Sequence, residues 1–160
     1  MELALFDAVG EVLRGLVPRE LGRFHCRPRQ YGIKVWFGAA SSPAREHYEA
    51  QVIGAGYVDD AAVLALEVGF HAEHPKVADN DAALAHMLRH ERSWRKAIGA
   101  EAVAGPFLGR ADVWRRLSET WPDPDLSDPD LPVEIGARLT DYVVALEPFR
   151  CPRQREKPAE

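Results

Sequence analysis

Alternation between apolar and polar residues from Tyr31 to His71 is the feature that most restricts how this chain can fold. Three runs show it, at residues 31–37, 47–52 and 64–71, and short turn-rich segments separate them. Because successive side chains of a strand point to opposite faces, each run predicts a strand with one apolar and one polar face. No helical pattern lies between the runs, which predicts an antiparallel three-strand meander.

Helical patterns surround the predicted meander. Three stretches repeat their apolar residues every three or four positions, at residues 3–16, 80–98 and 133–146. This spacing predicts amphipathic helices. Asp79 or Asn80 can cap the second helix and Gly99 can end it, whereas Pro148 should stop the third. The stretch 19–30 has no clear period and is predicted to be a loop.

Residues 102–121 fit two interpretations, because their apolar positions suit a helix as well as an alternating strand. We favour a hairpin of 102–108 with 113–121, since the meander would otherwise end in an unpaired edge strand. The segment 122–130 combines proline with aspartate and is predicted to be an irregular connector.

These elements predict one α+β domain over residues 1–150. A curved antiparallel sheet, made of the meander and the hairpin, forms one of its two layers and packs against three to four helices. Residues 151–160 are expected to form a mobile tail. The 160 residues suit one domain, and 46% apolar residues with a net charge of −5 exclude wholesale disorder. The chain has no apolar run of 18 residues and no basic leader at its start, so we expect a cytoplasmic protein.

The polar face of the meander is the strongest candidate for a binding surface. Strand periodicity places these side chains on it: Trp36, Lys34, His47, Glu49, Gln51, Glu67, His71 and Glu73. Solvated sheet faces commonly carry such residues. Trp36, however, would be an exposed aromatic anchor. We therefore favour a non-enzymatic module that needs no cofactor and binds a protein partner, or a second copy of itself, through the first seven of these residues or a sheet edge.

A metal site on the same face is the alternative hypothesis. His47, Glu49, Glu67 and His71 would supply two imidazoles and two carboxylates, which suit a divalent transition metal. Such a metal could activate water, with a carboxylate as base, in a metal-assisted hydrolase. The spacing alone does not decide between the hypotheses, because the register between the strands is unknown.

Two further histidines have a spacing seen in helix-borne zinc motifs. His86 and His90 are four residues apart on the predicted second helix. No glutamate directly follows His86, and both histidines fall opposite the apolar stripe, so we expect an exposed pair without a metal. Cys26 and Cys151 are too few and too far apart for a disulfide framework, and we expect Cys26 to be an ordinary thiol.

A basic block from Arg14 to Lys34 is the basis of a third hypothesis. It carries six cations against Glu20 alone, and Arg19, Arg23, Arg27 and Arg29 would be its contacts to nucleic acid. The whole chain is acidic, however, and residues 117–137 carry six acids and no base. Pairing with that acidic segment, or plain solvation, is the favoured interpretation over nucleic-acid binding.

Overall fold

Six antiparallel strands form one curved, unclosed sheet in the computed structural model, which describes residues 4–38 and 43–150. The strands are β1 (Phe24–Pro28), β2 (Gly32–Phe37), β3 (Glu46–Gly54), β4 (Leu64–Ala72), β5 (Val103–Phe107) and β6 (Arg110–Pro122). The helices of the described part are α1 (Leu5–Leu16), α2 (Val77–Leu88), α3 (Glu91–Ile98) and α4 (Leu131–Arg150). Short 3-10 turns lie at Arg19–Leu21 and Ala55–Tyr57. The predicted α+β class is confirmed.

The strand order in the sheet is β1-β2-β3-β4-β6-β5. The three predicted strands are β2, β3 and β4, and the predicted hairpin is β5 with β6, whose longer strand pairs with β4. The predicted loop over 19–30 is wrong, because this stretch contains β1, which pairs with β2. β1 is five residues long and ends in proline, so it offers no alternation long enough to detect.

The prediction of one continuous helix over 80–98 is wrong, because this stretch belongs to two helices, α2 and α3. His90 separates α2 from α3 with φ −108° and ψ 11°, a conformation outside the helix. The predicted cap at Asn80 is also wrong, since Asn80 lies inside α2 and is buried. Its side-chain amide accepts from the His74 N–H and donates to the carbonyls of His74 and Val113, which ties α2 to β6. Gly99 ends α3 with φ 94°, as predicted.

Pro148 does not stop α4, which continues to Arg150. The missing N–H of Pro148 falls in the last turn, so few backbone hydrogen bonds lie beyond it. Arg150 donates hydrogen bonds to both carboxylate oxygens of Glu147, at 2.9 and 2.5 Å. These side-chain bonds hold the last turn of the helix together. Within the described residues, no helix combines the length and apolar character needed to cross a bilayer.

The apolar face of the sheet meets α1 and α4 in the core, as the alternation predicts. Leu66, Val68 and Phe70 of β4 are all buried. The two helices approach each other closely at Gly136, where a Cβ atom would lie 2.5 Å from Cγ1 of Val12. This contact explains why a residue without a side chain occupies a buried position of α4.

The polar face is not solvated, and this prediction is wrong. Glu67 and His71 are 0% exposed, and His47 is 2% exposed. Sheet curvature and the β5–β6 hairpin cover this face: the Phe107 ring lies 4.6 Å from the His71 ring, and the Trp114 ring lies 5.2 Å from the Phe107 ring. The charged residues of the polar face therefore form part of the interior.

Candidate metal centre

The register between β3 and β4 brings the polar side chains together. His47 lies opposite His71, Glu49 opposite Gly69, and Gln51 opposite Glu67. Directly opposed residues of antiparallel strands have Cβ atoms roughly 4.5–5.5 Å apart, so their side chains meet on one face. Glycine at position 69 lets β6 approach β4 closely, since a Cβ there would lie 2.4 Å from the Leu117 carbonyl oxygen.

The metal cluster consists of His47, Glu49, His71 and Glu73. One ligand atom from each lies within 4.8 Å of the other three, and all four residues are buried. His47 Nε2 is 2.7 Å from Glu73 Oε2 and 3.6 Å from Glu49 Oε2, and His71 Nδ1 is 2.9 Å from the same Glu49 oxygen. Ligands bound at about 2.1 Å from one metal ion are separated by about 3 Å, so the donor atoms are already near bonding positions.

The hydrogen bond at the far side of the His47 ring orients this histidine for metal binding. Its Nδ1 lies 2.8 Å from the Ala44 carbonyl oxygen, which can only accept. Nδ1 therefore carries a proton, and Nε2 is the atom that faces Glu73. An imidazole lone pair and a carboxylate oxygen at 2.7 Å need a proton or a cation between them. Neither atom makes a hydrogen bond of acceptable geometry.

Glu67 stands behind His71 and outside the cluster. Its Oε1 is 3.1 Å from His71 Nε2, but the ring nitrogen is not aligned for a hydrogen bond. Gln51 and Ser118 hold Glu67 by donating to its two oxygens at 2.8 and 2.7 Å. The charge of Glu67 raises the basicity of the His71 ring without a hydrogen bond between them.

The structure therefore brings together three of the four residues of the predicted metal set. His47, Glu49 and His71 converge, Glu73 joins them, and Glu67 occupies the supporting position. Glu73 continues the alternation of Glu67 and His71 by two residues. That alternation is the signal that could have added Glu73 to the ligand set.

The opposite charges of the cluster stabilise one another although the residues are buried. Burial opposes ionisation of Glu49, yet the nearby imidazoles of His47 and His71, the latter through a hydrogen bond, lower its pKa to about 2. Burial likewise opposes the charge of His71, but the Glu67 charge and hydrogen bonds to surrounding carboxylates raise its pKa well above the ordinary value. Burial also opposes the charge of His47, but the nearby carboxylates of Glu49 and Glu73 outweigh it and raise the pKa of His47. Without a metal, the two imidazoles thus favour bound protons.

The rest of the predicted partner surface is differently placed. Trp36 is buried, and its ring stacks on the His25 ring at 5.5 Å, so the expectation of an exposed anchor is wrong. Lys34 reaches the cluster instead, with Nζ 3.5 Å from Glu73 Oε1. A partner could not use this face as it stands, which leaves the edge strands β1 and β5 for the predicted protein association.

A cleft of about 280 Å³ reaches the cluster from the β1–β2 turn. Its lining comprises Arg29, Gln30, Tyr31, Gly32, Glu49, Gln51 and Val52. Among the four residues of the metal cluster, Glu49 alone borders this cleft. Glu49 therefore connects the buried centre to solvent.

The second histidine pair is not exposed as predicted. His86 is half-buried and its Nε2 lies 2.9 Å from the Phe149 carbonyl oxygen. His90 stacks on the Phe149 ring at 4.4 Å. The break between α2 and α3 turns His90 toward the end of α4, so this pair packs two parts of the helical layer together.

Part of the basic block borders a separate cleft of about 410 Å³, lined in part by Arg14, Arg19 and Arg23. Arg14 pairs with the nearby Glu11 at 2.6 Å. Cys26 lies beside this region, and burial is the main factor that raises the pKa of its thiol, which does not favour a reactive thiolate. Nucleic-acid binding through this block stays the less favoured alternative, and no contact among the described residues tests it.

Acidic residues of the 117–137 segment have partners in their own surroundings. Arg138 binds Glu119 with Nη2 at 2.7 Å. Asp123 adopts a positive φ of 47° and accepts hydrogen bonds from the backbone N–H groups of residues 62, 63 and 64. These contacts are structural and do not involve the basic block.

Comparison of the chain with protein families, with curated proteins and with solved structures finds no match. The geometry of the metal cluster is therefore the basis for assigning a function.

Proposed function

We propose that this protein is a metalloprotein that binds one divalent transition-metal ion between His47, Glu49, His71 and Glu73. The observation that carries the proposal is the approach of His47 Nε2 to Glu73 Oε2, at 2.7 Å, without hydrogen-bond geometry. Two imidazoles with two carboxylates suit zinc, manganese, iron or nickel.

A purely structural ion network is the competing explanation. Each buried ion costs several kcal/mol of desolvation, and natural networks offset that cost by satisfying their polar atoms. Here His47 Nε2, His71 Nε2 and Glu73 Oε2 are buried without a hydrogen bond of good geometry. A metal ion would satisfy the two that face each other, His47 Nε2 and Glu73 Oε2.

The cleft beside Glu49 favours a catalytic metal over a structural one. Four protein ligands commonly close a structural metal site, so catalysis here requires the metal to take water or substrate as an additional ligand on the side of the cleft. Metal-assisted hydrolysis is the reaction class that this arrangement supports best. The metal would activate water, and one of the cluster carboxylates would accept its proton.

The test is metal titration of protein that has been stripped with a chelator, followed by calorimetry and elemental analysis. We expect one zinc or manganese ion per chain. His71→Ala and Glu73→Gln should each weaken binding at least 100-fold, because each removes a ligand.

His86→Ala is the matched control, since it removes a half-buried histidine remote from the cluster. It should retain wild-type affinity, and circular dichroism should show that all three variants are folded. Absence of stoichiometric metal in the wild type, or equal affinity in folded His71→Ala, would contradict the proposal.

A further inference from the structure

The cleft beside Glu49 has the chemistry of a binding site for an anion. We infer that a small carboxylate-bearing molecule enters this cleft, binds the metal through its carboxylate and is held by Arg29. The inference rests on the proposed metal centre and names the class of ligand that this centre would take.

The cleft offers a route from solvent to the metal centre beside Glu49. All four residues of the cluster are buried, with Glu49 at 7% and Glu73 at 8% exposed, and Phe107 covers the His71 ring. Glu49 belongs both to the cluster and to the wall of the cleft. A ligand in this cleft would therefore lie next to a ligand residue of the metal.

Hydrogen-bond donors outnumber acids in the cleft. Arg29 supplies a guanidinium, and Gln51 supplies an amide that is already oriented by its bond to Glu67. Glu49 is the single carboxylate of the lining, and a bound metal would neutralise it. The remaining charge of the lining is positive.

Lys34 adds a second positive charge next to the cleft. Its Cα pairs with that of Glu49 across β2 and β3, and its Nζ is 3.5 Å from Glu73 Oε1. A divalent metal would balance the charges of Glu49 and Glu73, which leaves Arg29 and Lys34 against the carboxylate of Glu67 and a local positive charge in a chain with a formal net charge of −5. This charge attracts anions.

The wall that carries Arg29 is fixed by backbone hydrogen bonds. The Arg29 N–H donates to the Gly32 carbonyl at 2.7 Å, which closes the β1–β2 turn. The Val52 N–H donates to the Tyr31 carbonyl at 2.8 Å, which attaches the turn to β3. A rigid wall lowers the entropy cost of binding. A guanidinium binds a carboxylate through two parallel hydrogen bonds, so Arg29 has the chemistry to hold the carboxylate of a ligand.

Cobalt-loaded protein provides the test, because the visible bands of Co²⁺ change when a ligand joins the metal. Acetate and succinate are titrated separately into the wild type. We expect both to change the bands, and succinate to bind more tightly, since its second carboxylate can pair with Arg29. Arg29→Ala should lower the affinity for succinate on the order of tenfold and the affinity for acetate less. Arg29→Lys should restore part of the lost affinity.

Arg92→Ala is the matched control, because it removes an exposed arginine on α3, in the helical layer. Failure of cobalt to bind would overturn the metal proposal and this inference together. Cobalt bands that do not respond to either carboxylate would overturn this inference and leave the metal centre standing. Equal loss of succinate affinity in Arg29→Ala and Arg92→Ala would also overturn it.

Discussion

The two faces of the sheet are both buried, but different forces hold them. The apolar face packs against α1 and α4, and its burial stabilises the fold by about 25 cal/mol per Å² of apolar surface. The polar face buries carboxylates and imidazoles that must offset their own desolvation by pairing. Apolar residues of similar volume at these positions would commonly be at least as stabilising. This comparison supports the proposal that the polar face serves metal binding rather than stability.

The largest effect should come from the apolar face. Phe70→Ala removes a fully buried ring between Tyr48 and the helices, and it should lower the free energy of unfolding by about 3–5 kcal/mol. Urea denaturation measures this loss. Metal affinity of the folded fraction should stay at the wild-type level, and a parallel loss of affinity would show that the two faces are not separable.

Glu67→Gln tests whether the carboxylate behind His71 contributes to metal binding on the polar face. The substitution keeps the volume but removes the charge behind His71, so metal affinity should fall about 10–100-fold while folding is largely retained. Calorimetric titration measures the affinity. Glu91→Gln, at the half-buried pair with Arg95, is the control and should bind metal like the wild type. Similar affinities for both variants would remove Glu67 from the site.

Gly69→Ala should affect both the stability of the sheet and metal binding on its polar face. A Cβ at this position would lie 2.4 Å from the Leu117 carbonyl oxygen and 2.5 Å from the Ser118 Cα, so β4 and β6 must separate. We expect a loss of about 1–3 kcal/mol in unfolding free energy, with weaker metal binding because Ser118 positions Glu67. Thermal unfolding with and without zinc measures both. An unaffected melting temperature would contradict the close strand approach.

The pH dependence of stability should show the charges of the polar face in metal-free protein. The raised pKa of His71 adds stability that is complete below its unfolded value of 6.5 and is lost as the pH rises through the folded value. The pKa values of Glu49 and Glu67, lowered to about 2, add stability that is complete above 4.5 and is lost as the pH falls toward 2.

Unfolding free energy should therefore be greatest between about pH 4.5 and 6.5, and denaturant titrations across pH measure it. His71→Gln should flatten the alkaline side of this curve. A wild-type curve that rises continuously from pH 5 to pH 8 would contradict the pairing.

The sequence allowed some parts of the fold to be predicted and not others. The alternation in β2, β3 and β4 could be recognised in the sequence because each face of these strands carries the same type of residue over several positions. β1 was missed because its five residues lack that pattern. The break at His90 was missed because the residues of α2 and α3 share a helical period across it. For the site, alternation placed Glu73 and Glu67 on the same face, but it could not distinguish a ligand from its support.

The amino-acid sequence by itself determined which side chains share a face of each strand, because the backbone of a strand alternates its side chains whatever surrounds it. Only the tertiary structure decided that His47 meets His71, since register depends on how two strands and their turns fit together. The curvature of the sheet and the position of Phe107 then decided that the polar face is enclosed, because burial depends on elements distant in sequence.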